Sequence, residues 1–550
     1  MSVERIRTQV LIRGGGYAGL TAAMLLAWRG ISCLVAERHE AASRHPKAHG
    51  INRRSMELLR VVPGLEKDLF GASRAAANDA LAYIAATVTG PKIRTLIAKS
   101  DFDGPNVSPA QVCTAGQDRV EPIFLEHARA LGADVRFSTM LTQFVQDRDG
   151  VTARLHDVAA EDDIEVRADY MIAADGANGT TREQLGIEMR GRGVISHSVS
   201  ILFEADLATI LPGAGFVLCY LRNAVFTGVF VSCDDPNRGQ LNIAFDPAAE
   251  SPDEFDAARC AALVRAALGA GDIDVKVIDI LFWRKSALIA SRMAQGRVFL
   301  AGDAAHLMPP VGGLGGQTAL QDAADIAWKL AYVLKGDAGP ALLDTYQAER
   351  LPVAHIALSR QLANYVERLQ PDRDEIRVRA HETDYLSAAL GYRYRSAAIV
   401  SDATDDGAAT EHPLQPSGSP GTRLPHVELR RNGLSVSTHD LIGRDFVLFA
   451  GPRGGAWIEA ARRSAEGGAP LDCFRLDVDV DDPSATFLDK VGLGADGALL
   501  ARPDGYIAWR SPSEDEDPSR VLENVLARIC CLPVGAIGAT PKALAAEHRR

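Results

Sequence analysis

The segment that most restricts the fold is Gly14-Gly15-Gly16-Tyr17-Ala18-Gly19, set between an apolar run, Thr8 to Ile12, and a stretch of helical periodicity, Leu20 to Trp28. Gly30 stops that helix. Ile31 to Ala36 then forms a second apolar run that ends at Glu37 and Arg38. Gly14, Gly16, Ala18 and Gly19 are small enough for a backbone to approach a pyrophosphate, and the helix that follows offers free N–H groups and a positive dipole end. Glu37 comes 21 residues after Gly16, where a carboxylate accepts a hydrogen bond from a ribose hydroxyl. Strand, turn, helix, strand and acid together predict a dinucleotide-binding βαβ unit, and so an α/β fold. Arg13 is out of pattern, a charge at the end of a strand that is normally buried.

Two later segments extend the same site. Tyr170 to Ala174 reads as an apolar strand running into Asp175-Gly176, with Arg182 beyond. Alone, Asp-Gly is equally a plain β-turn. Val298 onward reads as a strand ending at Gly302-Asp303-Ala304-Ala305-His306. Pro309-Pro310 makes a rigid segment, and Gly312-Gly313-Leu314-Gly315-Gly316 lets a backbone lie against a flat ligand. A helix is expected from about Gln317, with an apolar stripe from 320 to 334 and a stop at Gly336. Its positive end would face the ligand and stabilise the charge that an isoalloxazine gains on reduction. In this order, the three segments predict one non-covalent FAD site. Gln117, in Ala115-Gly116-Gln117-Asp118-Arg119, reads alone as a solvated loop residue, and His306 as a packed or capping histidine rather than a base.

At 550 residues the chain exceeds one core, so two to four domains are expected. A net charge of -12 argues against nucleic acid and against an anionic membrane surface. No apolar run approaches the ~20 residues that cross a bilayer, and the N-terminus has no signal-peptide core. Eight scattered cysteines without a CxxC read as free thiols of a cytoplasmic protein. No residue pattern marks a metal site.

Residues 186–284 change to closely spaced β-rich segments and predict a mostly antiparallel sheet inserted into the nucleotide domain, which takes 1–185 and 285–400. Residues 401–426, with four prolines and three glycines, read as a linker. From 427 to 550 the order β-α-β-β-β-α fits a small thioredoxin-like domain without redox cysteines. Tyr220, Arg222 and Trp283 lie in the inserted sheet and are candidate substrate contacts, though each also suits a core or surface role. The expected pocket lining is Leu202, Phe203, Phe216, Phe226, Phe230 and Trp283.

With these residues in view, the chain resembles the single-component FAD-dependent aromatic hydroxylases, which share the p-hydroxybenzoate hydroxylase fold. The three fingerprints carry the resemblance, helped by Lys47-Ala48, Asn52-Arg53-Arg54-Ser55-Met56-Glu57 and Ala327-Trp328-Lys329-Leu330. Gly421-Thr422-Arg423-Leu424-Pro425-His426 and Arg502-Pro503-Asp504-Gly505 are similar to the branch of phenol hydroxylases and aromatic polyketide hydroxylases.

The resemblance implies that Glu37 and Arg38 hold the adenosine ribose and pyrophosphate side of FAD, Gln117 contacts its chain, and Asp303 binds the ribityl group. It places Gly315, Gly316 and Gln317 at the flavin pyrimidine edge through their backbone N–H groups and Asp175 near the pyrophosphate and NAD(P)H, with Lys47, Gly302 and Pro310 as further cofactor-binding residues. Gln317 stands where the family usually has Asn, and Tyr17 where it has a small residue or proline. The implied reaction uses NADPH or NADH and O2 to hydroxylate a phenolic, polycyclic substrate through a flavin hydroperoxide. The catalytic base is not identified. The protein is expected to be a monomer or homodimer. Alternatives are a flavoprotein that oxidises or inactivates an aromatic natural product or antibiotic, and a non-catalytic flavin-binding homologue. A halogenase would show Trp-x-Trp-x-Ile-Pro, and a disulfide reductase would show paired redox cysteines. Both are absent from the sequence.

Overall fold

A computed structural model describes residues 4–43, 45–73, 80–98, 106–213, 215–369 and 383–533. The strands that feed the three fingerprints, Glu4–Arg13, Asp162–Ala173 and Val298–Leu300, are neighbours in one sheet. They run parallel, with Val10 opposite Tyr170 and Met171 opposite Val298. Cys33–Ala36 extends the sheet in parallel on the other side of the first strand. Parallel strands end at one edge of a sheet, so segments more than a hundred residues apart deliver Gly14, Asp175 and Asp303 to the same crevice. The first helix, Tyr17–Trp28, leaves only Ala27 incompletely buried, because it lies between this sheet and the long helix Leu314–Lys335. Gly14 and Gly19 allow the crossing. A Cβ on Gly19 would sit 1.8 Å from the Gly14 carbonyl oxygen.

The second sheet is mostly antiparallel, and among the described residues it has eight strands. Met189–Glu204 pairs with Arg238–Phe245 on one side and Lys276–Ala290 on the other. It also draws in Ala80–Ala85 and Lys92–Ala98 from outside the 186–284 window, through a parallel pairing of Leu218–Arg222 with Ala80–Ala85. Strand alternation gives this sheet two unlike faces. Val199, Ile201, Phe203, Phe230 and Leu241 pack into the core under the helix Ala257–Leu268. Ser198, Ser200, Gln240, Asn242, Trp283 and Lys285 alternate with them and occupy the opposite face.

The C-terminal unit has the strand order Leu471–Arg475, Phe446–Ala450, Ala498–Ala501, Ile507–Ser511, with a parallel first pair and antiparallel remainder. With helices Gly455–Glu466, Phe487–Val491 and Pro518–Ile529 this is a thioredoxin-like arrangement. The tail from 534 to 550, included in the expected domain, lies outside the described residues. The stretch expected to be a linker is built into the protein. Residues 418–425 are buried, and the Arg423 guanidinium pairs with Glu57 and donates to the Val107 carbonyl, 2.9 Å.

Candidate active site

The crevice begins at the Gly16 N-cap of the first helix. No side chain caps this end and its first turn holds no acid, so its N–H groups stay available to an anion. Glu37 closes one side: Oε2 accepts from the Gly15 N–H, 2.6 Å, and Oε1 from the His39 N–H, 2.9 Å. Arg38 is exposed beside it. Arg13 proves to be a fastener. Its guanidinium pairs with Asp175, 3.2 Å, and donates to Thr181 Oγ1, 2.8 Å, tying the first fingerprint to the second. Asp175 Oδ2 also accepts from Thr181 Oγ1, 2.7 Å. Arg182 donates to the Ala304 carbonyl, 2.9 Å, tying the second fingerprint to the third.

Asp303 lies at the crevice floor. Its side chain opens to solvent there and has no hydrogen-bond or ion-pair partner among the described residues. Crowding by protein on its other sides raises its pKa, while His306, Lys47 and Arg182 pull it down. Gly302 is required beneath it: φ is +63°, and a Cβ would press on Ala319 and Ala18 at 3.1 and 3.3 Å. Exposed Lys47 belongs to the segment that leads into the strand His49–Ile51. Gln117 starts a helix, Gln117–Ala130, rather than a loop. Its N–H donates to the Ala48 carbonyl, 2.8 Å, and its amide to Glu121, 2.6 Å. Burial raises the pKa of Glu121, whose Oε1 lies 3.5 Å from where a Gly16 Cβ would stand.

The glycine segment corrects one expectation. The long helix starts at Leu314, capped by Gly313 at φ +69°, so Gly315, Gly316 and Gln317 lie in its first turn and not in a preceding loop. First-turn N–H groups have no acceptor within their own helix. That of Leu314 is taken by Gln361 Oε1, 3.0 Å, while those of Gly315 and Gly316 have no acceptor among the described residues. Gln317 is not a cap. Its side chain bridges the Asn52 N–H, 2.9 Å, and the Gly50 carbonyl, 2.8 Å, holding the His49–Ile51 strand against the helix. Tyr17 is buried with its hydroxyl unpartnered, and its ring abuts the space beside Gly316. His306 is buried and bonded to Asp322, 2.7 Å, which also takes Arg350, 2.8 Å.

The sheet face opposite the Ala257–Leu268 helix provides a second wall. Tyr220 is buried there with Arg368 Nη1 3.3 Å from its hydroxyl oxygen and the Arg368 guanidinium 5.6 Å from its ring centroid. Trp283 donates to Ser200 Oγ, 3.0 Å. Gln240 contacts His45 Nδ1, 3.3 Å. Arg222 stands two residues beyond Tyr220 on the same face, at its edge. Its guanidinium donates to the Glu367 and Arg368 carbonyls at the end of the helix Asp344–Leu369, because those orphan carbonyls lie beside its strand. Phe203 and Phe230 turn to the opposite core, by alternation.

Sequence reading missed Arg368, Tyr365 and Lys285. The first two had a signal: Gln361, Asn364, Tyr365 and Arg368 recur at helical spacing and form one polar face. Gln361 caps Leu314, Asn364 donates to the Val311 carbonyl, 3.2 Å, and Tyr365 donates to Ser196 Oγ, 3.2 Å. Lys285 had no signal, since one lysine in a strand reads as a solvated side chain.

An open glycine loop, an unpaired carboxylate and a free helix N-terminus along one crevice fit the pyrophosphate, ribityl chain and ring of a flavin dinucleotide. The fold and crevice thus define a flavin-nucleotide oxidoreductase. The FAD binding domain family matches residues 7–361, and the aromatic-ring hydroxylase C-terminal family matches 417–533. The chain belongs to the FAD-dependent aromatic-ring hydroxylases, flavin monooxygenases that take electrons from NAD(P)H. It is 40% identical over 534 residues to aklavinone 12-hydroxylase of Streptomyces purpurascens, covering 94% of this chain and 98% of that one. It is also 40% identical over 540 residues to 4-methyl-5-nitrocatechol 5-monooxygenase of a Burkholderia species, covering 96% and 98%. A crystal structure of aklavinone-11 hydroxylase with FAD and aklavinone superposes with a TM-score of 0.91 at 40% identity, covering 95% of this chain and 99% of that one. No helix among the described residues is long and apolar enough to cross a membrane.

Proposed function

We propose that this protein hydroxylates a phenolic ring of a polycyclic aromatic polyketide, with NAD(P)H as reductant and O2 as oxygen source. The carrying observation is the Tyr220–Arg368 pair on the buried sheet wall, in a chain that matches the aklavinone hydroxylase structure over nearly its full length. FAD, when bound, supplies the oxygen-transfer chemistry. Gly14, Gly16, Ala18 and Gly19 with the first helix would hold its pyrophosphate, flanked by Glu37, Arg38, Lys47, Gln117 and Asp175. Asp303 would hold the ribityl chain. Gly302, Pro310, Gly315, Gly316 and Gln317 would frame the ring.

Arg368 donates to the Tyr220 oxygen and leaves the Tyr220 O–H free to donate to a phenol oxygen of the substrate. That bond strengthens as the phenol oxygen gains negative charge, so it favours the electron-rich form that reacts. The antiparallel sheet with its covering helix acts as the substrate domain, and the thioredoxin-like unit has a structural role.

The experiment is substrate-stimulated NAD(P)H oxidation, with product analysis, across simple phenols, benzoates, nitrocatechols and tri- or tetracyclic phenols. Coupled hydroxylation is expected on the polycyclic phenols. Efficient coupled turnover of a monocyclic substrate, with none on polycycles, would overturn the substrate class and leave the flavin hydroxylase reading intact.

A further inference from the structure

Lys285 is a buried cation without a counter-ion. It lies on the strand Lys276–Ala290, opposite Ser196, and is 7% exposed. Its ammonium donates to Ser198 Oγ and stands 5.1 Å from the Trp283 ring centroid. No ion pair among the described residues includes it. A lysine taken out of water is normally paired with an acid, because an unpaired buried charge costs several kcal/mol. Burial alone pushes its pKa down to about 8, so the site tolerates the charge poorly when empty.

Its surroundings are those of a binding wall rather than of a core. Ser198, Ser200 and Trp283 share its face of the sheet, away from the Ala257–Leu268 helix. Two residues further along the strand, Ala287 packs with Tyr220 and Tyr365. Tyr365 reaches Ser196, the residue opposite Lys285, from the same helix face that carries Arg368 to Tyr220. Lys285 and the Tyr220–Arg368 pair therefore lie on one face of the sheet, linked through Ser196, Tyr365 and Ala287.

We propose that Lys285 is a specificity-determining residue that takes an anionic oxygen of the substrate, so the enzyme selects planar aromatics bearing a carboxylate or an ionised phenol. The inference rests on the reading that this face receives the aromatic substrate. An anionic oxygen brought to the ammonium would supply the missing partner, and the Trp283 ring would lie alongside the substrate plane. Three ammonium protons serve both Ser198 and an incoming oxygen without rearrangement.

The test is titration of the oxidised holoenzyme, read by perturbation of the flavin absorbance, and needs no turnover. The probes are a dihydroxyanthraquinone carboxylic acid, its methyl ester, and a nitro-substituted hydroxyanthraquinone whose phenol ionises near neutral pH. At least one anionic probe should bind about tenfold or more tightly than the ester, as a charge-assisted bond provides. Preference for the acid identifies a carboxylate as the partner, and preference for the nitrophenol identifies a phenolate. Lys285→Met should bring acid, nitrophenol and ester to near parity while leaving ester affinity within about twofold. Equal wild-type affinity for all three would overturn the role of Lys285 and leave the polycyclic substrate class standing. Loss of ester and anion binding together in Lys285→Met would make the residue merely structural and would also overturn it. No binding of any probe to wild type would overturn both readings.

Discussion

Arg502 of the C-terminal domain and Glu349 of the helix Asp344–Leu369 are joined by two parallel hydrogen bonds, 2.6 and 2.9 Å, with both side chains fully buried. Lys329 donates to Glu349 at 2.7 Å and to Asp325 at 2.7 Å. The acids Asp325, Glu349 and Asp504 converge within this cluster, where Lys329 and Arg502 pair with them. The thioredoxin-like domain thus supplies a cation to the acids packed against the helix Leu314–Lys335.

Arg502→Met should destabilise the protein by about 3–5 kcal/mol, because it strands Glu349 and Asp504 in a dry interior. Truncation near residue 400 should do at least as much harm, since it also removes Arg423 from buried Glu57. Chemical denaturation of the holoenzyme and its variants checks this. A truncated protein of native stability would show that the domain is an independent appendage.

Asp303→Ala should weaken FAD binding by about 1–3 kcal/mol through loss of a charge-assisted bond to the ribityl chain. Flavin fluorescence quenching during reconstitution of the apoprotein gives the affinity. Unchanged affinity would place the ribityl site elsewhere.

Tyr220→Phe should lower the rate of product formation by about 10²-fold while leaving FAD content unchanged, since the hydroxyl acts on the substrate oxygen alone. Arg368→Met should lower it in the same sense. Rapid-quench product yield, compared with NAD(P)H consumed, separates lost hydroxylation from lost reduction. A Tyr220→Phe enzyme with wild-type yield and rate would remove the pair from the chemistry.

His439 is held neutral in the fold: burial first, then Arg423 and Arg54, push its pKa down to about 3, and Nε2–H donates to the Leu424 carbonyl, 2.8 Å. In the unfolded chain the same imidazole takes a proton below about pH 6.5. Its contribution to stability is therefore intact above about pH 6.5 and drains as pH falls towards 3, by an amount on the order of 4 kcal/mol. His439→Gln should flatten the fall in denaturation midpoint between about pH 7 and about pH 5 relative to wild type. Identical pH slopes for the two proteins would refute this role for His439.

Local chemistry made much of this molecule readable. The helix Arg53–Leu59 and the strand Phe446–Ala450 stand where their periodicity puts them. The three fingerprints were legible because each requires a particular local backbone, such as φ +105° at Gly14. The start of the long helix was misplaced by three residues, since Gly315 and Gly316 look like loop residues when their actual use is to leave a helix turn bare. What nothing local could specify is pairing at long range. Ala80–Ala85 pairs on one side with Leu218–Arg222, more than a hundred residues on, and Arg222 meets the Arg368 carbonyl 146 positions away. Lys285 became conspicuous only when the sheet buried it without an acid.

The adjacency of the strands Glu4–Arg13, Asp162–Ala173 and Val298–Leu300 bears on how the enzyme comes into being. As the chain is synthesised, the first glycine turn and its helix emerge early, but the strand that must pair beside the first strand is about 160 residues behind, and the strand after that about 290. Until the last arrives, the crevice lacks the carboxylate of Asp303 and the bare turn at Gly315 and Gly316. Pairings of such separation form slowly. Flavin capture is then a late event that seals a finished domain, and FAD stabilises the folded chain by mass action without guiding its first steps.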